Sequence, residues 1–274
     1  MERFRSYIGL GIAGNFALHL AQAGELEEFK HIITADEAAP KGMFPFYLPK
    51  RVASEMLSVF PLSHEQIKLP NGNAQVEPEV ALICDLSYED GKLVGIKPTH
   101  FAAYNDCSIR VAGATKISEK KNWGESSKGL SSTLLEIDQF SSGGVMDRYA
   151  ICSYLRRDGE LRAYGEDVDL LGYSYFYEKL LAWIVEQIQT QKDEDPLEDL
   201  SLYIKECDFP QKAIISIGAT RYTPYGESTF LQNADEIFVV LYDKTITNID
   251  EVEACIKSGN FASHMSVLHQ KVLS

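Results

Sequence analysis

The 274-residue sequence has no run of apolar residues long enough to cross a membrane. Its first residues, MERFRSYIGLGIAGNF, lack the basic start, the long apolar middle and the small-residue cleavage site of a signal peptide. Positive charge is scarce: 26 Lys and Arg stand against 40 Asp and Glu, a formal net charge of −14. Nucleic acid and an anionic membrane are therefore not expected as partners. The five cysteines, Cys84, Cys107, Cys152, Cys207 and Cys255, are odd in number and scattered, with no CxxC. That fits a reducing cytoplasm, with thiols used as small apolar fillers. There is no internal repeat and no low-complexity tract. What is present is a hydrophobic content of 45%, enough for a proper core. Residues 192–200 (KDEDPLEDL) read as a solvated connection between helices. Apolar segments continue on both sides of it, so one domain over residues 1–274 is expected.

The most informative stretch is residues 75–110, QVEPEVALICDLSYEDGKLVGIKPTHFAAYNDCSIR. Glu77 and Glu79 lead into the apolar run Val80 to Cys84. In a strand, alternate side chains share a face, so the two carboxylates point the same way about 6–7 Å apart at Cα. Such a pair repels unless a proton or a cation lies between. A second apolar segment ends at Asn105 and Asp106. If it pairs with the first, a third carboxylate reaches the same point, and three oxygen ligands suit Mg²⁺ or Mn²⁺. The plainer reading makes the two glutamates solvated residues at a strand start. Beyond Asp106 the chain turns basic: Arg110, Lys116, Lys120, Lys121 and Lys128 face only Glu119 and Glu125, a field that attracts an anion.

Elsewhere the expectations are coarser. A short strand at 7–10, the glycines Gly9, Gly11 and Gly14, a helix over 15–23 and a strand at 31–35 ending at Asp36 have the layout of a dinucleotide-binding unit. The proline- and aromatic-rich residues 39–50 that follow break the strand–helix alternation such a fold needs. A short helix is expected at 54–60, a hairpin turning at Asp158–Gly159, a core-packing helix over 173–191, strands at 212–217 and 236–242, and a peripheral helical tail from 249.

In order along the chain, Gly14–Asn15–Phe16 with His19, the loop 43–50 (MFPFYLPK), Glu77–Pro78–Glu79–Val80, residues 104–110 (YNDCSIR), Lys128, residues 158–162 (DGELR) and the segment 212–226 followed by Asp235 resemble the motifs of the fumarylacetoacetate hydrolase superfamily. The resemblance covers most of the chain and extends to a divergent bacterial branch sharing GIAGNF, NDCSIR and GATRYT. It implies an α+β fold, a mixed β-sandwich roll with flanking helices and usually dimeric, with residues 1–50 as an N-terminal subregion and candidate lid. It implies Mg²⁺ or Mn²⁺ held by Glu77, Glu79 and Asp106, with Lys128 in the pocket and His19 as general base. Members hydrolyse C–C bonds of acylpyruvates, decarboxylate oxaloacetate, or isomerise or hydrate 2-oxo acids. Arg110, Thr220 and Arg162 are candidate contacts for a small anionic metabolite. Three departures stand out. Gln22 replaces a glutamate one turn after the histidine, GLSSTL follows Lys128, and Ile217–Gly218–Ala219–Thr220 replaces the TGTP loop. The expected activity is metal-dependent C–C hydrolysis or decarboxylation in the cytoplasm. The rivals are a binding or scaffold protein that keeps the fold, and a nicotinamide-dependent oxidoreductase using the glycines.

Overall fold

The alternation that sets Glu77 and Glu79 on one face runs through a long hairpin. Strand Pro78–Glu89 pairs antiparallel with Lys92–Asn105. The chain reverses at Asp90 and Gly91, both at positive φ, the geometry a two-residue hairpin loop favours. The expected hairpin at Asp158–Gly159 turns the same way, between Tyr149–Arg157 and Glu160–Asp169. A computed structural model provides the coordinates; the described residues are 1–274 apart from 33, 35, 51–53 and 112. The strand expected at 31–35 lies partly outside them.

The architecture is α+β, with two large mixed sheets, a small two-stranded one (Ala74–Gln75 with Ser108–Ile109) and short helices on the flanks. Across the first sheet the main path is Gly42–Tyr47, Ile8–Ala13, Lys212–Ser216, Pro78–Glu89, Lys92–Asn105, Lys128–Leu130 and Leu62–Ser63. The second runs Glu160–Asp169, Tyr149–Arg157, Glu236–Asp243, Ser266–Leu273 and Gln66–Lys68. Between them lies the main core, with Ile8, Leu10, Val80, Leu82 and Ile215 from one sheet and Ile151, Val239, Leu241 and Leu268 from the other. The opposite face of the first sheet has its own cluster, which includes Phe46, Ala81, Ile83, Tyr104 and Ile214. Glu79, two residues before Ala81, projects on that outer face.

The N-terminal glycines have a packing reason. A Cβ at Gly9 would lie 2.3 Å from the Phe46 ring, and one at Gly11 2.3 Å from Phe44. The two rings from Gly42–Tyr47 lie over the first strand and cover the outer face. The strand is followed by no crossover to a parallel neighbour in sequence: it pairs antiparallel with Gly42–Tyr47 and parallel with Lys212–Ser216. Asp36, the acid of the dinucleotide layout, accepts a hydrogen bond from Tyr175 Oη at 2.7 Å.

Several expected elements are shorter or different. The helix of 15–23 is only His19–Gln22, because Phe16 bridges to Tyr173 and Leu18 has φ 71°. Residues 54–60 hold a single 3₁₀ turn, Met56–Ser58. The core helix is Tyr177–Thr190, with Leu180, Ile184 and Ile188 buried as the periodicity requires. The tail begins as helix Ile249–Ser258 but continues into strand Ser266–Leu273, which is inserted between two others. No described helix is long and apolar enough to cross a membrane.

Candidate metal centre

Hairpin pairing brings the three acids together. Pro78 pairs with Asn105, the Asp106 amide donates to the Glu77 carbonyl at 2.9 Å, and the Glu77 amide donates to Asn105 Oδ1 at 3.2 Å. Glu77, Glu79 and Asp106 are all buried and offer oxygens lying within 4.8 Å of one another. Oxygens on opposite sides of an octahedral Mg²⁺ are about 4.2 Å apart, so small side-chain movements suffice to share an ion. Glu77 Oε1 and both Asp106 carboxylate oxygens accept no well-directed hydrogen bond. A buried oxygen set of this kind fits a hard divalent cation.

Basic side chains crowd the same point. Lys121 Nζ lies 2.6 Å from Glu77 Oε2 and 2.6 Å from Asp106 Oδ2. Arg110 bridges Glu77 and Glu25, each at 2.8 Å, and donates to Gln75 Oε1 and Tyr222 Oη. Lys120 reaches Glu25 at 2.8 Å. Lys128 lies beneath Asp106, donating to the carbonyls of Asp106 and Cys107 at 3.0 and 2.5 Å and pairing with Asp106 Oδ1 at 3.1 Å.

The two glutamates of one strand face opposite electrostatics. Burial works to raise Glu77, but Lys121 and Arg110 outweigh it and hold its carboxyl well below the usual range. For Glu79, burial and the neighbouring Asp106 push the carboxyl well above that range. One of its oxygens still accepts from the Gly218 amide at 3.0 Å. Burial lowers His19 to about 4, so the ring is neutral at pH 7, and its Nδ1 has no hydrogen-bond partner. His19, Glu25, Phe44, Glu79 and Lys121 line a cavity with about 10 Å³ of free space, room for roughly one water.

The departures from the motif pattern acquire local causes. Gln22 makes two hydrogen bonds to the backbone of Tyr222, at 3.0 and 2.9 Å, so it clamps the 218–222 loop and does not orient His19. Gly24, at φ 72°, ends the helix and turns Glu25 back into the cavity. Gly129 follows Lys128 because a Cβ there would lie 2.4 Å from Gln270 Oε1. Thr220 spends both its amide and its hydroxyl on the Pro78 carbonyl.

Of the residues singled out from sequence, Glu77, Glu79, Asp106, His19, Arg110 and Lys128 meet here. Thr220 is close in sequence to Gly218 but committed to Pro78. Arg162 is not brought in: it is exposed on the second sheet, paired with Glu160 at 2.8 Å and placed over the Tyr225 ring. Sequence reasoning did not assign Lys120 and Lys121 to the acids; the local basic excess was their only signal.

A sequence model of a family described as of unknown function, DUF5718, matches residues 25–272. The chain belongs to this family. No curated protein matches the sequence. Among solved structures, the DUF5718 chain is similar to 2-keto-3-deoxy-D-arabinonate dehydratase complexed with magnesium and 2,5-dioxopentanoate, at TM-score 0.54 and 15% identity over 97% of this chain and 72% of that one. It is similar to a protein from Oleispira antarctica assigned as a fumarylacetoacetate isomerase/hydrolase, at TM-score 0.52 and 13% identity over 97% and 93%. An HpcE assignment from Mycobacterium smegmatis matches at TM-score 0.53 and 13% identity, over 97% and 74%. The DUF5718 fold is thus the fumarylacetoacetate hydrolase fold, as the motif order implied.

Proposed function

We propose that this chain is a divalent-metal-dependent enzyme acting on a small 2-oxo acid or β-dicarbonyl, by C–C bond hydrolysis or decarboxylation. The observation that carries the reading is the buried triad, whose oxygens lie within 4.8 Å of one another and whose two glutamates line one cavity with a neutral histidine. Glu77, Glu79 and Asp106 would hold Mg²⁺ or Mn²⁺. When bound, such an ion supplies Lewis-acid stabilisation of developing negative charge on oxygen. The dehydratase neighbour, described with magnesium and 2,5-dioxopentanoate, supports a 2-oxo acid as the substrate class.

The chain's own residues divide the remaining work. His19, neutral and with its buried Nδ1 unpartnered, would take the proton, from water for hydrolysis or from the substrate. Lys128 positions Asp106 from below through two backbone carbonyls. Arg110 ties Glu77 to Glu25 and fixes the cavity wall. The basic side chains of the 110–128 segment draw an anionic substrate toward the triad. Phe44 and the segment around His19 line the cavity and would shield it from bulk water. The free space is smaller than any 2-oxo acid, so substrate entry requires these covering segments to move. We propose further that residues 1–274 form one domain, that it pairs as a homodimer and that it works in the cytoplasm.

The small cavity equally favours a second reading, a binding or scaffold protein that keeps the fold. Purified protein assayed with Mg²⁺ or Mn²⁺ on acylpyruvates and oxaloacetate separates the two. Metal-dependent turnover that is abolished in Glu79→Ala supports the enzyme. Metal binding without turnover across a broad panel of 2-oxo acids and β-dicarbonyls supports the scaffold. The nicotinamide reading loses its structural basis once Gly9 and Gly11 make room for aromatic rings, and absence of binding at millimolar NAD or NADP would complete its removal.

A further inference from the structure

The triad has a cation of its own. Lys121 Nζ is 2.6 Å from one oxygen of Glu77 and 2.6 Å from one of Asp106, both of them acids assigned above to the metal. An ammonium bridging two carboxylates in this way takes the position from which a divalent ion would reach them. Both cannot be there together: at such separations like charges repel strongly in a buried, poorly screened site.

Charge balance makes the same point. Arg110, Lys120, Lys121 and Lys128 stand against Glu25, Glu77, Glu79 and Asp106, four basic side chains to four acids. The protein alone supplies at least as much positive charge as these acids can carry. A divalent ion added to it leaves an uncompensated positive excess unless a basic group withdraws or an anion enters. Arg110 and Lys128 are the least able to withdraw. Arg110 is held by two acids, Gln75 and Tyr222, and Lys128 by two backbone carbonyls. Lys121 is anchored differently. It follows the short 3₁₀ turn Ile117–Lys120, its ammonium contacts the two acids, and it faces the Phe44 ring at 5.0 Å. It also lines the free space of the cavity together with Glu25, so a four-carbon stem can carry the charge off the triad without leaving the site.

We propose that Lys121 is the resident counter-cation of the Glu77–Glu79–Asp106 triad, exchanged for the divalent ion when the site loads, and that this exchange sets the metal affinity. The inference rests on the metal-binding reading given above. It makes Lys121 a positioning residue: it keeps three buried acids together before metal arrives and weakens metal binding by competing for the same oxygens. In the loaded site its charge turns toward the cavity, where a substrate carboxylate would meet it.

The test is Mn²⁺ binding to the wild-type protein, Lys121→Met and Lys121→Arg, followed by the electron paramagnetic resonance signal of free Mn²⁺ and by the thermal midpoint with and without the ion. Removing the competing charge is expected to tighten Mn²⁺ binding by at least about tenfold in Lys121→Met. The same variant should melt lower than wild type without metal and gain more from it. Lys121→Arg, which keeps the charge, should bind as weakly as wild type. Lys121→Gln repeats the comparison if the methionine variant does not fold. Equal or weaker binding in the neutral variants, or tightening in Lys121→Arg as well, overturns the role of Lys121 and leaves the metal reading standing. No Mn²⁺ binding by any of these proteins overturns the metal reading itself. Binding by the neutral variants but not by wild type supports the inference in its strongest form, with the ammonium keeping the ion out.

Discussion

The two faces of strand Pro78–Glu89 are stabilised by different physics. Toward the second sheet, Val80, Leu82 and Cys84 are fully buried among aliphatic side chains. Their contribution scales with area and is indifferent to direction. On the other face, Glu79 and the preceding Glu77 are just as buried but depend on a few directed contacts with Arg110, Lys121 and Gly218. A compensated charge contributes little net stability, yet removing one partner leaves a buried ion exposed to its full desolvation cost. The comparison teaches that similar burial on one strand implies opposite tolerances. The core face accepts a change of shape and the charged face accepts a change of ion.

The sharpest way to break that comparison is Arg110→Met beside Leu82→Ala. Losing Arg110 uncovers Glu77 and Glu25 together and is expected to lower stability by about 3–5 kcal/mol. Leu82→Ala creates a core cavity at about 2–5 kcal/mol. Urea unfolding would register both. Mn²⁺ should raise both by linkage, but the Arg110 variant by more, since only there does the added cation also replace a charge that was lost.

A smaller effect is expected at Glu198, a buried acid that lacks the compensation seen around Glu77. Its two carboxylate oxygens accept no well-directed hydrogen bond, the Ser118 hydroxyl and amide only partly offsetting its burial, and nearby Lys116 is engaged with Asp193, Asp195 and the Leu197 carbonyl. Burial raises this carboxyl from its ordinary value of 4.5 to about 7. A folded value above the unfolded one means that the protonated acid favours folding. The contribution is fully present below 4.5 and is lost as pH rises through about 7. Glu198→Gln should therefore gain on the order of 2–3 kcal/mol relative to wild type at pH 8 and nearly nothing at pH 4. Parallel urea titrations at the two pH values check this, and an equal gain at both would reject it.

The smallest effect belongs to Ser216, which shares the outer face with Glu79. Its buried hydroxyl has no partner, so Ser216→Ala should change stability by less than about 0.5 kcal/mol. A larger loss would show that the hydroxyl is hydrogen-bonded through water to the charged cluster.

The triad was legible because strand alternation and hairpin pairing are local rules, and residues 77–79 and 105–106 obey both. The ordered motifs extended that to the fold. The counter-charges were not legible from spacing. Lys120 and Lys121 read only as part of a basic field that attracts an anion, and tertiary packing turns them onto the acids instead. Glu25 lies just past the helix expected over 15–23 and reaches the cavity only because that helix is a single turn and Gly24 reverses the chain. The final strand was hidden by Gln270. It occupies a buried position of an otherwise period-two pattern, where its side chain bonds Asn105, Ser63 and Gln66. A polar residue in the buried register interrupts the hydrophobic signal from which a strand is read.

Lys212–Ser216 lies between Ile8–Ala13 and Pro78–Glu89 and pairs with both. On the ribosome, the first strand therefore waits for some two hundred further residues before it can join the sheet. Until then the Phe44 and Phe46 rings have no finished surface to cover. A nascent chain stalled before residue 212 would carry its acids and its lysines already made, but not yet under one roof.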